Sequence, residues 1–70
     1  MNYRTVATKL KRLGCSELKG YGKGSHRGWL NSRNHKIATL PYHGGKDVPI
    51  GTLRATIKDL GIDWETFRNA

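Results

Sequence analysis

The 70-residue chain contains one cysteine, two prolines and five carboxylates, and it has no long apolar run. Cys15 alone forms no internal disulfide, and the sequence has no Cys-x-x-Cys pair for zinc. Its few carboxylates form no cluster that would suit calcium or magnesium. A membrane-spanning helix needs about 20 consecutive apolar residues, which the sequence lacks. We therefore expect no metal, no cofactor and no membrane contact, and a location in the reducing cytoplasm.

Positive charge is what the chain has in excess. Thirteen lysines and arginines give a formal net charge of +8. Such a field attracts polyanions, and each phosphate that a protein neutralises releases condensed counterions. Nucleic acid is therefore the leading candidate partner, although an acidic protein would be attracted by the same field. A chain of this length predicts one domain over residues 1–70 with a small core, so any chemistry must take place on an open surface.

The first element is predicted to be a helix. Its apolar residues recur at spacings of three and four and form one stripe: Tyr3, Val6, Leu10 and Leu13. Asn2 is suited to cap the start of the helix, and Gly14 is suited to end it.

Beta structure is predicted to follow the first helix. The pattern indicates strands over residues 16–21, 26–32 and 36–42, separated by the GKG turn and a polar turn at 32–35. Pro49 suits the first turn of a second helix, which Gly61 ends, and Asp63 is expected to cap a last short turn. The predicted fold is α+β, in the order α-β-β-β-α, with a three-stranded antiparallel sheet that has two helices on one face.

Histidines are the residues best suited to chemistry. RNA carries its own nucleophile, the 2′-hydroxyl, so a proton-transferring side chain with nearby cations suffices for strand cleavage. His26 follows glycine and serine and lies between Lys23 and Arg27. His43 ends the third strand beside a diglycine and has the potential to approach His26 across the sheet. His35 lies in the polar turn, where we expect no catalytic role.

For two aromatic residues and two cations on the second helix, the sequence does not decide between contact with RNA and a purely structural role. Trp29 and Tyr42 are candidates for stacking on bases, as aromatic side chains do in readers of single-stranded RNA, with packing against the protein as the alternative. Arg54 and Lys58 share one face of the second helix, where a solvated surface is the simpler interpretation.

Three motifs in order resemble the HicA family of toxin mRNA interferases. They are GSH at 24–26 with an aromatic residue at 29, LPYHGGKDVP at 40–49, and GTLRATIKDLGI at 51–62. The resemblance implies a fold like that of double-stranded-RNA-binding domains, cleavage of mRNA, and neutralisation by a HicB-type antitoxin. It also implies that His26 is the catalytic histidine. Gly28 departs from the family, which often has a bulky apolar residue there, so we expect a looser second strand.

The sequence thus predicts a metal-independent endoribonuclease with His26 as general acid or base. The predicted RNA-binding residues are Lys23, Gly24, Ser25, Arg27, His43 and Lys46. Two alternatives remain open at this point. One is a non-catalytic RNA-binding module with the same fold, and the other is a basic protein whose charge serves to bind an acidic partner.

Overall fold

A computed structural model describes residues 1–22 and 24–70 of the chain. The prediction for Lys23 lies outside the described residues. Within them, three helices and three strands follow the order α-β-β-β-α-α, which confirms the α+β prediction. The elements are α1 (Tyr3–Arg12), β1 (Cys15–Leu18), β2 (His26–Asn31), β3 (Lys36–Pro41), α2 (Ile50–Asp59) and α3 (Trp64–Arg68).

The boundaries of α1 follow from residues at its two ends. The Asn2 side chain accepts a hydrogen bond of 3.0 Å from the Thr5 backbone N–H, which would otherwise lack a partner in the first turn. Gly14 adopts a φ of +89° just beyond the helix, a conformation that glycine adopts without a steric cost. Both predictions for this helix are confirmed. Of its apolar stripe, Tyr3, Val6 and Leu10 are buried, and Leu13, just beyond the helix, is partly buried.

The three strands form an antiparallel sheet in the order β1-β2-β3. In the register of this sheet, Trp29 lies opposite Glu17 on one side and Ala38 on the other, and His26 lies opposite Pro41. Alternate residues point to opposite faces of a sheet. One face therefore carries the buried Trp29 and Ala38 and packs against the helices, as predicted. The other face carries His26, Gly28 and the half-exposed Ile37.

The core between the sheet and the helices is centred on Trp29 and Phe67, both fully buried. The Trp29 indole N–H donates a hydrogen bond of 3.1 Å to the Tyr3 hydroxyl, which satisfies its one polar atom. Trp29 is thus a packing residue. The alternative prediction, that Trp29 stacks on RNA bases, is wrong because the side chain is fully buried. Cys15 also lies in this core, and burial raises the pKa of its thiol.

The first strand is the strand whose predicted bounds differ most from the structure. It was expected over residues 16–21, but β1 ends at Leu18. Gly20 takes a φ of +75°, and the Tyr21 N–H donates to the Leu18 carbonyl at 3.4 Å, so a turn replaces the second half of the predicted strand. The other two strands each end one residue earlier than expected, at Asn31 and Pro41.

The C-terminal region contains more helix than the sequence indicated. Pro49 occupies the N-cap position just before α2 instead of lying in its first turn, and its side chain makes no capping hydrogen bond. Asp63 accepts a hydrogen bond of 3.3 Å from the Thr66 N–H, as a capping residue should. The segment after it, however, continues through Arg68 as helix α3. No helix in the described part of the chain is both long and apolar enough to cross a membrane.

Candidate functional site

His26 is the first residue of β2, and its side chain belongs to the sheet face that the helices leave uncovered. The residue is exposed to solvent. Strand pairing fixes its backbone from the β3 side, where His26 faces Pro41 and the Tyr42 N–H donates to the Ser25 carbonyl. The fold therefore presents an accessible imidazole on a backbone held by the sheet.

A shallow depression of about 330 Å³ adjoins His26 at the turn end of the β1–β2 hairpin. Its lining includes Lys19, Tyr21 and His26, together with Gly20, Gly22 and Gly24. All three glycines have positive φ values. Because glycines have no side chains to block access, a bulky polyanion is able to approach the imidazole closely from this side.

Of the three glycines in this lining, Gly22 is the one at which a side chain would collide with the neighbouring backbone. A β-carbon at Gly22 would lie 2.4 Å from the backbone oxygen of His26, well inside normal contact distance. At Gly20 and Gly24, by contrast, a β-carbon would meet no described atom within 4 Å. The turn therefore packs directly against the backbone of His26 at Gly22 and at neither of the other two positions.

Tyr21 lies over Gly28 on the face that carries His26. A β-carbon at Gly28 would fall 2.2 Å from a ring carbon of Tyr21, and Gly28 is buried although it is on the uncovered face. The ring thus takes the place that a larger side chain at position 28 would occupy. The sequence did not single out Tyr21, but a glycine within a strand often marks such a close approach, and that signal was available.

Arg27 does not share a face with His26. Its guanidinium lies over the Tyr42 ring at 4.2 Å and over the Tyr3 ring at 5.6 Å, on the helix side of the sheet. One guanidinium nitrogen is 3.9 Å from a carboxylate oxygen of Glu17. The Arg27 guanidinium therefore lies on the α1 side of the sheet, although Arg27 also lines the depression beside His26.

Tyr3 connects this group of residues to the core. Its hydroxyl donates to the Glu17 carboxylate and accepts from the Trp29 indole. The Tyr42 ring meets it edge-on, with ring centres 5.0 Å apart. Burial, and then the hydrogen bond to Glu17, raise the pKa of Tyr3 to about 12 from its usual 10.0.

The raised pKa of Tyr3 predicts a loss of stability at high pH. The folded state favours the neutral phenol, so its contribution is present in full below pH 10 and is lost as the pH rises toward 12. Urea unfolding at pH 8 and pH 11 tests this. We expect wild type to lose more unfolding free energy between these pH values than Tyr3→Phe does, whatever their difference at pH 8. Equal losses would contradict the proposed environment of Tyr3.

His43 and Lys46 lie in the exposed loop between β3 and α2. The Lys46 N–H donates to the His43 carbonyl at 3.3 Å, which closes a turn. The end of the loop is held to the start of α1 by a bridge between Asp47 and Asn2. His43 comes two residues after Pro41, the strand partner of His26, so the loop starts beside the hairpin end that carries His26.

The remaining candidates from the sequence lie elsewhere. His35 has a φ of +60° in the turn between β2 and β3, at the opposite end of those strands from His26. Arg54 lies over the Trp64 ring at 4.4 Å, and Lys58 is exposed on the same helix. Among the described residues, no group of three histidine, cysteine or carboxylate side chains is close enough to hold a metal ion.

The fold and the site define a class of small, basic α+β proteins with helices on one sheet face and an accessible, glycine-flanked histidine on the other. The family model described as "HicA toxin of bacterial toxin-antitoxin" matches residues 3–62, which include all three strands, α1 and α2. The chain therefore belongs to the HicA toxin family, and its role is that of the toxin in a toxin–antitoxin pair. A comparison with curated proteins gave no significant match.

Proposed function

We propose that this toxin is an endoribonuclease that cleaves mRNA without a metal ion and uses His26 to transfer a proton. The observation that carries the proposal is the position of His26, exposed on the uncovered sheet face beside a depression lined by glycines. Membership of a toxin family and the net charge of +8 support it, because a positive field attracts the phosphates of nucleic acids.

The reaction requires little from so small a protein. The RNA 2′-oxygen attacks the adjacent phosphorus and loses its proton to a base, and the bond from phosphorus to the 5′-oxygen breaks as that oxygen gains a proton. The products are a 2′,3′-cyclic phosphate and a 5′-hydroxyl. His26 serves as the base or the acid in one of these transfers. Nearby cations and backbone N–H groups stabilise the additional negative charge on the phosphate.

The residues around His26 suit this arrangement to different degrees. Gly24 and Ser25 precede His26 directly in the sequence, and Lys19 is a cation in the lining of the depression beside His26, so these three are candidates to hold the scissile phosphate. His43 and Lys46, in the neighbouring loop, are proposed to bind the RNA on the β3 side. Lys23 remains a prediction from the sequence.

Membership of a toxin–antitoxin family indicates that this toxin has an antitoxin partner, which we propose is of the HicB type. Inhibition requires only that the partner prevent RNA from reaching His26, because the imidazole is exposed. A non-catalytic RNA-binding module, or a protein that binds only its acidic partner, would retain the same charge and fold. Neither alternative predicts that the purified protein cleaves RNA, whereas the proposal does.

Cleavage by the purified toxin separates these functions. We expect wild type to cut a defined RNA equally well with EDTA and with Mg²⁺, and to leave 2′,3′-cyclic phosphate and 5′-hydroxyl ends. A single 2′-deoxy substitution at the cleaved position should abolish cutting there, because it removes the nucleophile. RNA that is bound but not shortened would identify the non-catalytic module. Cleavage that requires the metal would contradict the proposed mechanism.

A further inference from the structure

A second concave surface lies on the helix side of the sheet and is not used by the chemistry at His26. It is a groove of about 600 Å³ between α1 and the loop that follows β3. One wall carries Arg4, Ala7, Thr8 and Lys11, whose spacing places them along one face of α1. The other wall carries Tyr42, Gly44 and Gly45, and the floor includes Tyr3, Glu17 and Arg27.

The groove is positively charged, and two of its cations have no partner. Arg4 and Lys11 are exposed and form no ion pair with any described residue. The residues that line the groove include three cations, Arg4, Lys11 and Arg27, and one carboxylate, Glu17. That one carboxylate, Glu17, already accepts from Tyr3 and lies near Arg27. The field in the groove therefore favours anions.

The groove also holds a flat surface on which a base is able to stack. The Arg27 guanidinium lies over the Tyr42 ring at 4.2 Å, and both side chains remain more than a third exposed. Bases stack on aromatic rings and on guanidinium planes only where they are unpaired. Gly44 and Gly45 lie close to Tyr42 in the sequence, and a β-carbon at either position would meet no described atom within 4 Å, so this wall leaves room for a nucleotide.

The groove adjoins the depression at His26, because Glu17 and Arg27 line both. We infer that the groove binds a single-stranded segment of the RNA next to the cleavage site, with Arg4 and Lys11 on its phosphates and a base stacked on Arg27 and Tyr42. The inference rests on the proposed function, since it takes RNA as the substrate. It implies that the strand passes around the end of the β1–β2 hairpin.

Salt dependence of binding tests the phosphate contacts. The proteins all carry His26→Ala, so that the RNA stays intact, and bind a ten-nucleotide single strand containing 2-aminopurine. Each phosphate contact on single strands adds about 0.7 to the slope of log affinity against log salt. Arg4→Gln with Lys11→Gln should therefore lower the slope by about 1.4, and should weaken binding about 25-fold at 0.1 M salt.

A matched control separates contact from net charge. Lys36→Gln with Lys58→Gln removes the same charge from the far end of β3 and from α2, and it should leave the slope unchanged. Tyr42→Leu should keep the slope but lose the fluorescence quenching that stacking causes. The inference is overturned if the groove variant and the control variant behave alike, or if Tyr42→Leu quenches as fully as its parent.

This outcome is independent of the proposed function. If His26-containing toxin cuts RNA while the groove variant binds like the control, the inference fails and the nuclease function stands. If the toxin never cuts RNA but the groove variant shows the smaller slope, the nuclease function fails and the groove remains an RNA-binding site.

Discussion

Replacing His26 with alanine is expected to lower the single-turnover rate of RNA cleavage by about 10²- to 10⁴-fold, the usual contribution of a positioned acid or base. Growth arrest on expression should disappear with it. The fold should be unaffected, because His26 is exposed and lies outside the core cluster. Thermal unfolding, together with the affinity for a 2′-deoxy-substituted RNA, verifies that the variant is folded and still binds.

The chain provides its own control for this experiment. His35 is also exposed, but it lies in the turn at the far end of β2 and β3. Asparagine tolerates its φ of +60°, so His35→Asn removes an imidazole without adding backbone strain. We expect this variant to cleave RNA at the wild-type rate. A His26→Ala toxin that cuts as fast as His35→Asn would exclude His26 from the reaction.

Gly22→Ala is the second change with a large expected effect. The added β-carbon would lie 2.4 Å from the His26 backbone oxygen, so either the turn or the start of β2 must move. A displacement of about 1 Å at a catalytic group costs on the order of 100-fold in rate. We expect a loss of that size in single-turnover cleavage, with the imidazole itself still present.

Gly20→Ala distinguishes displacement from backbone strain. Its φ of +75° is close to the +85° of Gly22, so alanine is strained to a similar degree at either position, by about 1–2 kcal/mol. A β-carbon at Gly20, however, meets no described atom within 4 Å. Gly20→Ala should therefore lose stability in urea unfolding but keep most of its cleavage rate. Equal rate losses in the two variants would show that the contact with His26 has no role.

Much of the fold could be predicted because its signals are local. Asn2 and Gly14 bound α1 through their own backbone preferences, and Asp63 starts α3 in the same way. The first strand was predicted too long because the turn at Gly20 depends on a positive φ that the sequence permits but does not require. Tyr21, an apparent strand residue, instead lies across Gly28.

The candidate site could be predicted only in part. The position of His26 at the start of β2 follows from the glycines before it and from the strand pattern. Its separation from Arg27 follows from strand alternation, yet the contacts of Arg27 with Tyr42 and Glu17 depend on tertiary packing that no sequence spacing encodes. The groove beside α1 was missed for the same reason, although the spacing of Arg4 and Lys11 on one helix face was a usable signal.

The family resemblance and the structure contribute different parts of the account. The motifs that resemble HicA toxins are matched by a family model over residues 3–62, which establishes the toxin role. The residues around His26 made it a candidate for chemistry, and the resemblance implied that it is the catalytic histidine. The structure adds a physical basis for that proposal, namely an exposed imidazole on a backbone held by strand pairing and by the contact with Gly22.

The central claim is that His26 transfers a proton during RNA cleavage, and the pH dependence of the single-turnover rate tests it most directly. Histidine is the side chain that ordinarily changes charge between pH 5 and 8. We predict that the wild-type rate varies with pH in this range, and that the residual rate of His26→Ala does not follow the same profile. His43→Ala serves as the comparison, and an unchanged profile would remove His43 from the mechanism. A His26→Ala profile parallel to that of wild type would contradict the claim.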